Sequence, residues 1–289
     1  MTGSLLLHTP TALEYFASLV ADDASFPVLE SAIAIAHDDV PSLDCQTVLA
    51  DIDALAVRLK TRIPDDAAPM HRLRLLNRFF FQELGFAGNV NDYYDPKNSY
   101  LHSVLQTRRG IPITLALLYV EIAGQIGLAA SGVSFPGHFL VKVRMPQGEV
   151  VIDPFTGQSM SREALDVLLA PYRGRHGLPG DAPVSLVMFL QAATPREIVA
   201  RMLRNLKEIH RRSDDPARLH AVLERLVVLL PGAWEERRDR GLAAARLGAV
   251  NAAVADLSAY LENVPQAGDR GVVAERLRGL GHGDPSRFH

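Results

Sequence analysis

The sequence predicts an α+β protein, mainly helical, with a small antiparallel sheet packed on a buried helix and a C-terminal run of helical hairpins. Three observations carry this expectation. Residues 113–126 are apolar around nearly the whole helical circumference, which leaves no wet face. Residues 139–152 then follow a strand-like rhythm broken by Pro146-Gln147-Gly148, a hairpin signal. Near the C-terminus Pro231 and Pro265 stand 34 residues apart, and the same offset relates Ala221 to Ala255, Leu223 to Leu257, Val227 to Leu261 and Leu230 to Val264.

Residues 10–90 read as a layer of helices. Thr11 suits a cap before Leu13, Phe16, Ala17 and Val20, which fall at i, i+3, i+4 and i+7. Leu29, Ala32, Ile33 and Ala36, then Val48, Ile52, Leu55 and Leu59, repeat the pattern, punctuated by Pro27, Pro41 and Pro64. Phe79, Phe80 and Phe81 belong to a further apolar helix ended by Gly85, and read as core. Residues 86–107 are turn-rich, with helix resuming near Ser99. Asp95 and Asn98 read as helix caps there, while Tyr93 and Tyr94 suit either a cleft lining or plain surface.

The central helix is sharply placed. Gly110 ends what precedes it, Pro112 fits the first helical position, and Gly127 suits a left-handed stop. The hairpin that follows turns near Gln147 and folds His138 back toward Asp153; register is open to a residue, so the expectation is neighbourhood. Such a pair is more often structural than catalytic.

Ser161 suits the cap of a short helix through Leu169. Residues 171–183, PYRGRHGLPGDAP, are the best boundary in the chain, giving a helical layer and core over 1–180 and a helical tail over 184–289. Residues 184–190 fit a strand or a helix. In the tail, 34 residues is the tetratricopeptide period, and two copies plus the helix at 195–212 are too few for a free solenoid. The tail is therefore expected to dock on the core, with Leu219, Leu223, Leu257 and Leu261 on its inner face. Arg201, Arg204, Lys207, Arg211 and Arg212 lie along one helix; they suit an acidic partner, or more simply a solvated face beside Glu197, Glu208, Asp214 and Asp215.

Composition narrows the function classes. At 289 residues, 48% hydrophobic and 22% charged, the chain has the make-up of a globular protein with a substantial core. A net charge of −3 argues against a general nucleic-acid binder or a lipid-clinging surface. No run reaches membrane-span length, the start has no basic residue before its short apolar run, and one cysteine fits a reducing compartment; the cytoplasm is the expectation. Cys45 lies in Leu43-Asp44-Cys45-Gln46 with no basic residue beside it, and reads as a quiet thiol. There is no phosphate loop, no HExxH and no pair of histidines at ligand spacing, so neither a metal nor a cofactor is invoked.

A buried helix opening after Gly110-Ile111, then a strand with His138, then a strand with Asp153-Pro154, resembles the core of the transglutaminase-like superfamily within the papain-like folds. More narrowly, NSYLHSVLQTRRGIPITLALLY, PGHFLVKV and IDPFTG resemble the SirB-type family, from about Leu43 to Leu280, with RNLKEIH and RDRG in the tail adding to it. The resemblance implies a transglutaminase-like core joined to a tetratricopeptide-like tail. In catalytic relatives a cysteine at the helix start is the nucleophile, the histidine its base and the aspartate its orienter. Here Pro112 or a neighbour holds the cysteine position, in Pro112-Ile113-Thr114, and His138 with Asp153 forms a vestigial dyad. Thr114 carries the hydroxyl nearest the helix start and is a poor nucleophile without a base in contact.

Two functions follow from this resemblance. One is a non-catalytic scaffold that binds a protein or peptide partner, with an acidic group as one candidate; the other is a papain-like hydrolase or acyltransferase with an unusual nucleophile, using His138 and Asp153. Free N–H groups at 113–115 and a protonated His138 would favour a carboxylate, against the simpler reading of a filled pocket where His138 only bonds Asp153. Oligomeric state and the partner's identity are left open.

Overall fold

In the computed structural model, which describes residues 10–173 and 186–281, helix α1 (Ala12–Leu19) opens as its sequence requires. The Thr11 hydroxyl accepts the Glu14 N–H and the Glu14 carboxylate accepts the Thr11 N–H, a reciprocal capping box. The chain divides into two compact units. One is Asp23–Met202; the other joins the described residues of Met1–Asp22 to those of Leu203–His289. The linker expected over 171–183 lies, for residues 174–183, outside the described residues.

The larger unit begins with the predicted helical layer: α2 (Val28–Ala34), α3 (Cys45–Lys60) and α4 (Pro69–Asn77). Helix α4 runs into a π-turn at Arg78–Glu83, which takes Phe79 and Phe80 into the core. After it the two-residue strand β1 (Ala87–Gly88) pairs in parallel with β2 (Arg109–Gly110), on either side of α5 (Leu101–Thr107). Gly110 is not the stop expected of it. Arg108 ends α5 in the left-handed conformation, and Gly110 is small because a Cβ there would lie 2.8 Å from the Thr114 hydroxyl.

Helix α6 (Pro112–Gln125) is the axis of this unit, buried at every position from Ile111 to Tyr119. It carries proline at its first position, and Gly127 follows it at φ 79°. Helices α3 and α5 pack against α6, as do the first two strands of the sheet. That sheet is antiparallel in the order β3 (Ala130–Val133), β4 (Leu140–Met145), β5 (Gly148–Asp153), β6 (Gln158–Ser159). The expected hairpin is β4–β5, with Met145 opposite Gly148 and Val141 opposite Ile152; β3 and β6 extend it on both sides. Leu140, Val151 and Val133 pack with Leu165 and Leu169 of α7 (Arg162–Arg173), while Val141, Val143 and Ile152 are buried as well. With both faces covered, the strands lose the strict apolar/polar alternation of a half-wet sheet. Ser161 accepts the Ala164 N–H at the start of α7, as its cap position predicts. Of residues 184–190, Leu186–Phe189 forms the short helix α8.

Helix α9 (Pro195–Arg212) contains the division between the units. In the smaller unit α10 (Pro216–Leu229), α11 (Trp234–Arg246), α12 (Val250–Asn263) and α13 (Arg270–Gly281) form successive antiparallel pairs. The counted repeat is visible in the bounds, since α12 begins and ends 34 residues after α10. Helix α1 packs on α10 in this unit, with the Arg225 guanidinium over the Phe16 ring. The tail's RDRG segment locks neighbouring helices: Arg240 grips Asp256 through two bonds of 2.6 and 2.7 Å, and Arg238 meets Asp269 at 2.6 Å. Gly241 lies so close to Leu257 that a Cβ would approach it to 3.0 Å.

Candidate functional site

The loop between β3 and β4 sets the position of His138. It is a tight double turn, with the Phe135 N–H on the Val133 carbonyl and the His138 N–H on that of Phe135. Gly137 sits at φ 68° with the Tyr172 hydroxyl where a side chain would begin, so only glycine fits on both counts. Arg201 on α9 holds the turn from the other side. Its Nη1 donates to Ser134 Oγ at 2.8 Å and to the Phe135 carbonyl at 3.1 Å, and its Nη2 to the His138 carbonyl at 2.7 Å.

Asp153 closes strand β5 and receives the imidazole. His138 Nε2 lies 2.9 Å from Asp153 Oδ1; because a carboxylate only accepts, that nitrogen carries the proton. Oδ1 also accepts the Phe155 N–H, and Oδ2 the Thr156 hydroxyl. Burial alone would raise the Asp153 carboxyl. The hydrogen bond and charge of His138, with the bonds from Phe155 and Thr156, outweigh it and hold the group below the ordinary carboxylate value. The pair opens on a cleft of about 560 Å³ lined also by Gly137, Gln158, Met160, Leu168 and Tyr172.

The predicted helix-start residues stand apart from that lining. Pro112, Ile113 and Thr114 are buried, and none borders the cleft at His138. The Thr114 hydroxyl lies 2.8 Å from the Asn98 carbonyl and accepts the Ile111 N–H at 3.2 Å. Asn98 is not the helix cap its position suggests. Its amide donates to the Asp92 and Tyr93 carbonyls and accepts from Asn89, bracing the loop over the start of α6, while Asp95 does cap a turn through the Lys97 N–H. Tyr93 and Tyr94 stack edge to face and remain exposed, Tyr93 6.0 Å from the Phe155 ring.

Three residues of the site went unassigned in the sequence. Arg201 reads there as one of a stripe of cations, Tyr172 falls in the boundary segment 171–183, and Thr156 stands in the IDPFTG motif without a role of its own. The stripe itself is used internally: Lys207 meets Glu236 at 2.6 Å and Asp239 at 2.5 Å, Arg204 meets Glu236 at 2.9 Å, and Arg211 pairs with Glu208. No group of three or more His, Cys, Asp or Glu is placed to hold a metal ion among the described residues.

Cys45 has a histidine beside it that its sequence neighbours do not show. Its Sγ is 3.8 Å from His37 Nε2, but that nitrogen is 2.9 Å from the Leu43 carbonyl. The carbonyl can only accept, so Nε2 holds a proton and cannot take one from the thiol. Iodoacetamide labelling of the folded protein near neutral pH is expected to be slow against a free cysteine peptide. Rapid labelling at acidic pH would reveal a thiolate and reverse the assignment.

Residues 46–204 match the family model of the transglutaminase-like superfamily, and residues 206–278 that of a tetratricopeptide repeat. A UPF0162 protein of Xylella fastidiosa is 37% identical over 246 residues, covering 84% of this chain and 86% of its own. A UPF0162 protein of Pseudomonas aeruginosa is 30% identical over 218 residues, covering 74% and 77%. A segment of 70 residues is 44% identical to mouse F-box only protein 21, of which it covers 11%. No solved structure matches the chain.

Proposed function

Since the chain belongs to the transglutaminase-like superfamily, within the SirB-type UPF0162 family, we propose that it is a non-catalytic member: a cytoplasmic scaffold that binds a protein or peptide through its transglutaminase-like core and tetratricopeptide tail. The observation that carries this reading is the start of helix α6. Proline stands where the resemblance puts the nucleophile, and the nearby Thr114 hydroxyl is buried and engaged with Asn98 and Ile111. A hydroxyl so enclosed has no path to a substrate carbonyl.

One observation favours the alternative of a papain-like hydrolase or acyltransferase. His138 and Asp153 keep the hydrogen-bonded geometry of a base and its orienter at 2.9 Å. A dyad without an activated nucleophile still serves binding: in its charged form the imidazole attracts a carboxylate, and Asp153 holds the ring in place for an acidic side chain or peptide end.

Two measurements on the full-length protein separate the readings. Amine incorporation into casein and ester hydrolysis are expected to show no turnover above that of His138→Ala. The His138 imidazole signal is expected to shift saturably when acidic peptides are titrated to millimolar concentration. Turnover that disappears in His138→Ala would establish the enzyme reading, and an unmoved imidazole in an intact fold would remove the cleft as the binding surface.

A further inference from the structure

A second pocket lies in the same unit, lined by residues unrelated to the cleft at His138. It encloses about 640 Å³ between α3 and α5, and its lining includes Asp44, Thr47, Asp51, Arg58, His102 and Arg108. That volume is ordinary for a small-molecule site. Its charge arrangement is not ordinary for a structural groove.

Arg108 and Arg58 line the same pocket, and burial, with the charge of Arg58 adding to it, pushes the Arg108 guanidinium down. Neither side chain has a hydrogen bond or ion pair among the described residues. Each is held instead by an aromatic ring: the Arg108 guanidinium lies 4.7 Å from the centre of Phe86, and that of Arg58 5.6 Å from Phe79. Arg108 Nη1 is buried with no partner, as is His102 Nδ1. A buried donor left unmade carries the full cost of its lost hydration, and native structures seldom retain one without cause.

The backbone adds to this. Arg108 takes the left-handed C-cap of α5 at φ 59°, a place that glycine or asparagine fills with less strain. An arginine kept there gives up backbone ease and gains no acceptor among the described residues. The Phe86 ring beside it restrains the Arg108 guanidinium, and two guanidiniums lining one pocket suit an oxyanion able to bridge them. On the other side of the pocket Asp44 already accepts the Gln46 N–H and the Thr47 hydroxyl. Asp51 interacts with Arg108 only at a distance and is suited to a ligand donor.

We propose that this pocket binds a small molecule whose phosphate or carboxylate is clasped by Arg108 and Arg58 near His102, and whose hydroxyl or amino groups face Asp51. The site is independent of the His138–Asp153 cleft and of the scaffold reading.

The test is calorimetric titration of the full-length protein with inorganic phosphate, glycerol 3-phosphate and L-serine at fixed ionic strength, with sodium chloride as the control. Saturable binding of at least one probe is expected, and its identity separates phosphate from carboxylate chemistry. Arg108→Asn keeps a residue that tolerates the left-handed cap, so its melting temperature is expected to be unchanged or higher while affinity falls about tenfold or more. Arg58→Gln, at an exposed position, gives the same loss of affinity by an independent route. No saturable binding of any probe up to about 10 mM, a range that reaches weak millimolar affinities, would overturn the proposal. So would affinity unchanged in both variants.

Discussion

Replacing Phe16 with alanine is expected to destabilise the smaller unit by about 3–5 kcal/mol, the usual cost of emptying a buried phenylalanine site. Phe16 has no exposed surface. It is the one fully buried side chain of α1, a helix of two turns that is too short to persist without packing. Its ring lies under the Arg225 guanidinium, itself only 1% exposed, so truncation opens a void beside a buried charge as well as removing apolar area. A fragment beginning at residue 184 lacks α1 altogether, although its Leu223 and Leu226 are fully buried in the intact unit. Chemical denaturation followed at Trp234 reads the effect. A loss below about 1 kcal/mol, within the range of ordinary surface substitutions or little more, would mean that α1 is a passenger on α10.

The second large effect is expected at Asp153. Asp153→Ala leaves the His138 ring N–H, the Phe155 N–H and the Thr156 hydroxyl without their acceptor in a site where the residue is 8% exposed. Donors stranded in this way cost on the order of 2–4 kcal/mol together near neutral pH. The pH dependence has a definite sign. The folded carboxyl sits below its ordinary value, so the ionised group's contribution is complete above the unfolded value of about 3.9 and is lost as pH falls through the lower folded one. Urea midpoints of the parent and Asp153→Ala are therefore expected to converge toward pH 3, where the parent loses more. A gap that stays constant from pH 7 to pH 3 would show that Asp153 acts by shape and not by charge.

The parts of the fold visible in the sequence were those governed by short-range chemistry. The helix cap at Thr11, the buried circumference of α6, the hairpin turn near Gln147 and the 34-residue offset of the tail helices each depend on residues close in the chain. What sequence left undetermined depends on distant partners. Strand β3, Ala130–Val133, has little strand signal of its own: it carries Gly132 because the Phe139 ring would lie 2.7 Å from a Cβ there. Arg201 looks like any surface cation until its three acceptors, 63–67 residues away, are assembled. Likewise His138 and Asp153 were predictable as neighbours because a hairpin joins them, whereas the burial of Pro112, Ile113 and Thr114 away from the cleft is set by the loop braced on Asn98.

The membership of α1 in the smaller unit has a consequence for synthesis. Helix α1 is made before α10, on which it packs, and residues 23–202 are made between them. At about 5–20 residues per second, that delay is on the order of ten seconds or more. Throughout it the face around Phe16 has no lasting cover, and an isolated eight-residue helix melts far faster than that. The packing of this unit is thus completed only after α10 is made, and until then α1 lacks the partner that buries Phe16.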